Sequence, residues 1–270
     1  MSTKGQSLKD VLSSIFATSV ILICIAVGEI VYYKVLGDPI NFEGGNVLKG
    51  HPLGYLGIVF RGGFIVPILI SVILILVTFS IERGISLSRA SGKGRLNAFV
   101  RNIRALLNED RIEEAIAACD KQKGSLANVT KAGLHRYRDL QADTTLPNDQ
   151  KVLAFQKELE EATALELPML SKNLVVLSTI ASISVLIGLI GTVLGMIRAF
   201  SAVATSGAPD SIALANGISE ALINTAFGIT GSTIALIAYN YYSNRIDGMT
   251  FKIDEANFSL SQTFASTLKK

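Results

Sequence analysis

The 270-residue chain contains no tryptophan, two cysteines and two histidines, and only 17% of it is charged. Each scarcity removes a class of function. Cys24 lies inside an apolar run and Cys119 in a charged stretch, so the two do not suggest a disulfide. His51 and His135 are far apart, and no cluster has metal-ligand spacing. No nucleophile–base constellation is visible, and Gly92-Lys93-Gly94 is too short to cradle a phosphate. The chain therefore does not read as an enzyme and implies no cofactor. Its basic residues are interleaved with acidic ones, which disfavours a nucleic-acid surface.

Charge is also unevenly missing. Hydrophobic residues make up 49% of the chain, and mean hydropathy is +0.44. Four windows, 11–33, 57–81, 173–197 and 217–242, are nearly free of charge. Each reaches the roughly 20 apolar residues that a spanning helix needs. One soluble core could bury a single such helix, but four argue for an all-α integral membrane protein. Lys4 and Lys9 before the first run resemble a signal peptide. The run is longer than a usual signal core, and its end, Gly28-Glu29-Ile30-Val31-Tyr32-Tyr33, lacks a small-x-small cleavage site, which favours a retained helix. Glu29 then sits near the interface.

Lysine and arginine set the expected orientation. The segment between the second and third spans carries 14 of them, from Arg83 to Lys157, whereas 201–216 carries none and 34–56 only Lys34 and Lys49. The expected order is a cytoplasmic N-terminus at 1–10, a transmembrane helix at 11–33, a periplasmic loop at 34–56 and a second span at 57–81. A cytoplasmic helical domain at 82–168 follows, then spans at 169–200 and 217–242 joined by a periplasmic loop at 201–216. A cytoplasmic C-terminal helix at 243–270 closes the chain. Pro67 predicts a mild kink near the start of the second span. In the middle segment Leu96, Phe99, Val100, Ile103 and Leu107 mark one helical stripe, and Ile112, Ala115, Ile116 and Cys119 a second. A third, shorter helix is expected at 128–138. A long one from about Gln150 should lead directly into the third span, perturbed near Pro168.

The last two spans hold the candidate chemistry. At 100° per residue, Ala181, Ser184, Gly188, Thr192, Gly195 and Ala199 share one narrow stripe. Ala221, Thr225, Gly228, Ser232 and Ala235 share another. Small residues let membrane helices approach, and Gly191-x-x-x-Gly195 has that spacing, so packing alone is one reading. Glu220 favours another. A carboxylate inside a span faces protein or water and marks a functional site by default. The alternative is that Glu220, only a few residues into its span, sits at the interface. Asn224 is one turn away on nearly the same face. Thr225 is about 140° round the wheel, so it shares a lumen with Glu220 only across a broad face, or else the two touch different neighbours.

The run Gly188-Leu189-Ile190-Gly191-Thr192-Val193-Leu194-Gly195-Met196-Ile197, followed by Phe200, resembles a signature of the MotA/TolQ/ExbB proton channel family. So does Gly217-Ile218-Ser219-Glu220-Ala221-Leu222 with Thr225-Ala226, Gly228 and Tyr239-Asn240. Val185 and Ile234 stand where family members often carry proline, and the first span is additional to the three-span plan of ExbB and TolQ. The resemblance implies an inner-membrane proton-channel subunit, closest to ExbB. It would form a homo-pentamer around single-span partners of the ExbD/TolR type, whose membrane aspartate carries the proton. Ion flow would then drive TonB-dependent transport through a TonB-like protein. Thr192, Thr225 and Glu220 would line the route, with Asn224 and Ser232 beside them and Gly188, Gly191, Gly195 and Gly228 packing the helices. The alternatives are a TolQ-like subunit, a gliding or flagellar stator, or a structural scaffold whose small-residue stripes only pack.

Overall fold

The computed structural model describes residues 18–47, 50–205 and 211–268. The expected N-terminal segment 1–10 and the first residues of the 11–33 span lie outside them. Among the described residues the chain is all-helical, apart from an isolated antiparallel bridge between Phe42 and Pro52. The helices are α1 (Thr18–Leu36), α2 (Tyr55–Phe60), α3 (Ile65–Ala90), α4 (Leu96–Asn108), α5 (Ile112–Gln122), α6 (Ser125–Ala142), α7 (Asn148–Ser171), α8 (Leu174–Thr205) and α9 (Ser211–Thr267). Four stretches are long and apolar enough to cross a membrane: α1, α3, the α7–α8 stretch and α9. The protein is an all-α integral membrane protein. It divides into two compact units, Met1–Ser80 with Val176–Tyr239, and Ile81–Val175 with Asn240–Lys270.

In the first unit α1 lies against α3. Gly28 makes the approach possible, because a Cβ there would overlap the Ser71 hydroxyl and sit 3.0 Å from the Pro67 carbonyl. The Cys24 thiol is 3.8 Å from the Thr78 hydroxyl along the same contact. The last turn of α1, Val31–Leu36, widens into a π-helix. Its free carbonyls are partly satisfied by Asn41, whose amide donates to Val35 at 2.8 Å and Leu36 at 3.1 Å. Tyr32 stacks on Phe60 with centroids 4.7 Å apart and donates to the Phe60 carbonyl at 3.1 Å.

The expected second span is interrupted. The chain breaks between Phe60 and Ile65, where Gly63 takes a φ of +76° that an L side chain rarely adopts. Pro67, where the kink was expected, is only the third residue of α3. The N–H it lacks has no intrahelical acceptor at that position, so it disturbs nothing. Residues 201–216 likewise form less of a loop than expected, because α8 runs on to Thr205 and α9 starts at Ser211.

In the second unit α4 buries Phe99, Ile103 and Leu107 at four-residue steps, as a helix with one apolar face requires. Tyr137 of α6, Phe155 of α7 and Phe264 of α9 form an aromatic cluster with centroids 4.6–5.9 Å apart. The third helix of this segment is longer than 128–138, occupying all of Ser125–Ala142. The α7–α8 boundary falls at Asn173 (φ +61°) and not at Pro168, which α7 accommodates near its C-terminal end. Arg83 supports this corner. Its side chain is 2% exposed, pairs with Glu82 at 2.6 Å and donates to the Leu170 carbonyl at 3.4 Å. Glu82 also accepts from Asn173 at 3.3 Å.

Candidate functional site

The site is built on α8 and α9. Leu186, Leu189, Ile190, Val193 and Ile197 of α8 are all exposed, so this helix has no polar face to turn toward water. What distinguishes its faces is size. Gly188, Gly195 and Ala199 meet Gly217, Ala221 and Gly228 of α9 backbone to backbone. A Cβ on Gly188 would lie 2.8 Å from the Asn224 carbonyl, and one on Gly228 2.8 Å from that of Ser184. The two stripes read from the sequence therefore face each other, in an antiparallel register from Ala181 opposite Ser232 to Ala199 opposite Gly217. At 1.5 Å per residue this seam is about 27 Å long, close to the thickness of a hydrocarbon core.

Hydroxyls stitch the seam. The Ser232 hydroxyl donates to the Ala181 carbonyl at 2.5 Å. At the centre, the hydroxyls of Thr192 and Thr225 hydrogen-bond to each other. Thr192 also reaches the Gly188 carbonyl at 3.1 Å, and Thr225 that of Ala221 at 3.2 Å. Each hydroxyl has one proton and two lone pairs, so the pair can be ordered in either direction, ending on one backbone carbonyl or the other. Both residues are only partly buried.

Glu220 and Asn224 face a different neighbour. Both are buried, and both turn toward the α2–α3 break. Asn224 donates to the Gly62 carbonyl at 2.9 Å, while its own Oδ1, also buried, has no hydrogen-bond partner among the described residues. A Cβ on Gly63 would collide with the Glu220 carboxylate. The 140° offset between Glu220 and Thr225 thus separates two sets of contacts: the threonines bond to each other across the α8–α9 seam, whereas Glu220 and Asn224 reach the α2–α3 break, Asn224 packing also against Gly191 of α8.

Sequence reasoning missed two cations here. Arg198 of α8 pairs with Glu220 at 2.5 Å, and its guanidinium carbon lies 5.5 Å from the centre of the Phe64 ring. Arg61, at the α2–α3 break, donates to the Gly50 carbonyl at 2.8 Å and lies over Phe42. Both were hidden in stretches counted as apolar. The signal for Arg198 was available. An arginine near the end of one span and a carboxylate near the start of the next meet when a short link folds the helices antiparallel.

Similarity to known proteins falls on the same helices. A profile of the MotA/TolQ/ExbB proton channel family matches residues 121–255, half of the chain. ExbB-like 3 of Synechocystis sp. is 37% identical over 90 residues, covering 33% of this chain and 43% of that protein. The Tol-Pal system protein TolQ of Pseudomonas aeruginosa is 27% identical over 164 residues, 61% of this chain and 70% of TolQ. The biopolymer transport protein ExbB of Neisseria meningitidis is 28% identical over 209 residues, 74% of this chain and 92% of ExbB.

Proposed function

Because the chain belongs to the MotA/TolQ/ExbB proton channel family, we propose that it is an ExbB-like proton-channel subunit of an inner-membrane energy-transducing complex. Its partner is a single-span protein of the ExbD/TolR type with a membrane aspartate, enclosed by several copies of this chain, five by family resemblance. Proton flow moves that partner, and the motion passes to a TonB-like protein for transport across the outer membrane. The N- and C-termini and the 82–168 segment face the cytoplasm, as the lysine and arginine bias favours.

The observation that carries this reading is the hydroxyl pair of Thr192 and Thr225, set mid-seam between two membrane-length helices and only partly buried. A carboxylate in hydrocarbon needs hydrogen-bond partners to exchange its proton. Two threonine hydroxyls that can reverse their order supply donor and acceptor in turn. Asn224 and Ser232 keep the two helices in register beside them. A TolQ-like role is the second reading, favoured by the match over 70% of the P. aeruginosa TolQ.

The test is proton uptake by vesicles holding this chain with its single-span partner. Thr192→Val and Thr225→Val keep the side-chain shape and remove the hydroxyl. Each should lower partner-dependent uptake more than about tenfold, the scale of a lost transition-state hydrogen bond. Full uptake by either variant refutes the pore-lining role, and uptake that is absent in the unaltered complex favours a scaffold.

A further inference from the structure

Glu220 is the only acidic residue in the spanning part of α9, and its side chain is 9% exposed while that of Arg198 is 51% exposed. The 2.5 Å contact between them is at the short end for a charge-assisted hydrogen bond. The same guanidinium lies over Phe64, the last residue before α3 begins. One turn along α9, Asn224 binds the Gly62 carbonyl. Three of the four residues of the break are therefore held from the α8–α9 pair: Gly62 by Asn224, Gly63 by the Glu220 carboxylate lying against it, and Phe64 by Arg198. Gly63 has neither the room nor the backbone angle for a side chain, because a Cβ would occupy the place of the carboxylate.

A guanidinium presents its donors in a rigid fork that matches a carboxylate. We infer that Arg198 is the positioning residue of this site: it holds the Glu220 carboxylate against the α2–α3 break, so that the ion pair fixes the shape of this end of the ion path. This rests on reading the helix pair as part of an ion path, but the ion pair has readouts of its own. The other charged or titratable groups on elements packed here are Arg61, engaged with Gly50, and Tyr32 and Glu29 of α1.

The experiment compares thermal unfolding of the full chain in one detergent, for wild type, Arg198→Met, Arg198→Lys, Glu220→Gln and the double variant Arg198→Met/Glu220→Gln. The two single losses are expected to be unequal. Arg198→Met strands a buried carboxylate and should lower the midpoint by about 5 °C, whereas Glu220→Gln leaves a half-exposed arginine and should lower it by about 2 °C. The double variant should melt no lower than Arg198→Met, and Arg198→Lys should recover part of the loss. An Arg198→Met protein as stable as wild type overturns the inference, and so do single losses that simply add in the double variant. This readout needs no ion flow, so a silent channel would remove the ion-path reading and leave the ion pair to be judged separately.

Discussion

Gly195→Ala adds one methyl group where the α8 and α9 backbones meet directly. The new Cβ would lie 2.8 Å from the Gly217 carbonyl oxygen and 2.8 Å from the Ala221 nitrogen. Both are backbone atoms of a helix, so no side-chain rotation relieves the overlap. Ordinary contact begins near 3.4 Å, and the helices must part locally by about 0.6 Å. A gap of that size forfeits roughly a quarter to a half of each dispersion contact it opens. Overpacking of this kind costs about 1–3 kcal/mol, offset by about 1 kcal/mol because alanine is the better helix former. The net loss is at most about 2 kcal/mol and centred on about 1 kcal/mol, or a fall of about 3 °C in melting midpoint. Gly248→Ala is the control. It lies in the partner helix α9, is exposed, and has no atom within 4 Å of the position a Cβ would take. It should gain about 1 kcal/mol and melt about 2–4 °C higher. Circular dichroism at a helical wavelength, scanned with temperature in one detergent, reads both. A Gly195→Ala protein that melts at or above wild type, alongside a stabilised Gly248→Ala, refutes the close backbone approach.

Asn224→Ala removes the amide that satisfies the Gly62 carbonyl, and with it an Oδ1 that gains nothing from burial. The expected loss is about 1–2 kcal/mol, checked by denaturant midpoint, and retention of wild-type stability would show that the α2–α3 break does not depend on α9. Burial pushes the Cys119 thiol up to about 12. An unfolded thiol loses its proton near pH 8.5, so above that pH the native state binds more protons and stability falls as pH rises toward the native value. Cys119→Ala should flatten this alkaline decline, and the native thiol should resist maleimide at neutral pH until the protein is unfolded; rapid labelling of folded protein would contradict this.

What could be read from the sequence was periodic. The small-residue stripes through Gly188 and Gly228 follow from helical geometry alone, and so do the buried faces of α4 and α5. Other features depended on single residues in a context that only the fold supplies. Hydropathy runs unbroken through Gly62 and Gly63, and proline is the better-known breaker, so Pro67 attracted the expected kink. The actual break needs a positive φ, which glycine supplies. The α7–α8 boundary is similar: asparagine tolerates the left-handed region, and Asn173 takes it while Pro168 stays inside a helix. Arg83 counts in the sequence only as the first basic residue after the second span but is buried, because it pairs with Glu82 and reaches the Leu170 carbonyl, which the sequence does not bring near it. Arg198 was passed over because charges within apolar runs were judged by number and not by which residue the next helix would set beside them.

The contact between α8 and α9 bears on where an ion could pass. Gly188 and Gly228 meet so closely that a methyl group would not fit between them, which leaves no room for a water molecule, and the same holds at Gly195 and Gly217. A wet path therefore cannot run down the seam itself. Thr192 and Thr225 are nevertheless only partly buried. On the proposed reading, a path lined by these hydroxyls runs beside the seam, and a second protein surface must close it, because hydrocarbon cannot solvate an ion. The helix pair of one chain would then be half of a conduit, which is the physical reason to expect both further copies of the chain and a partner helix carrying its own titratable group.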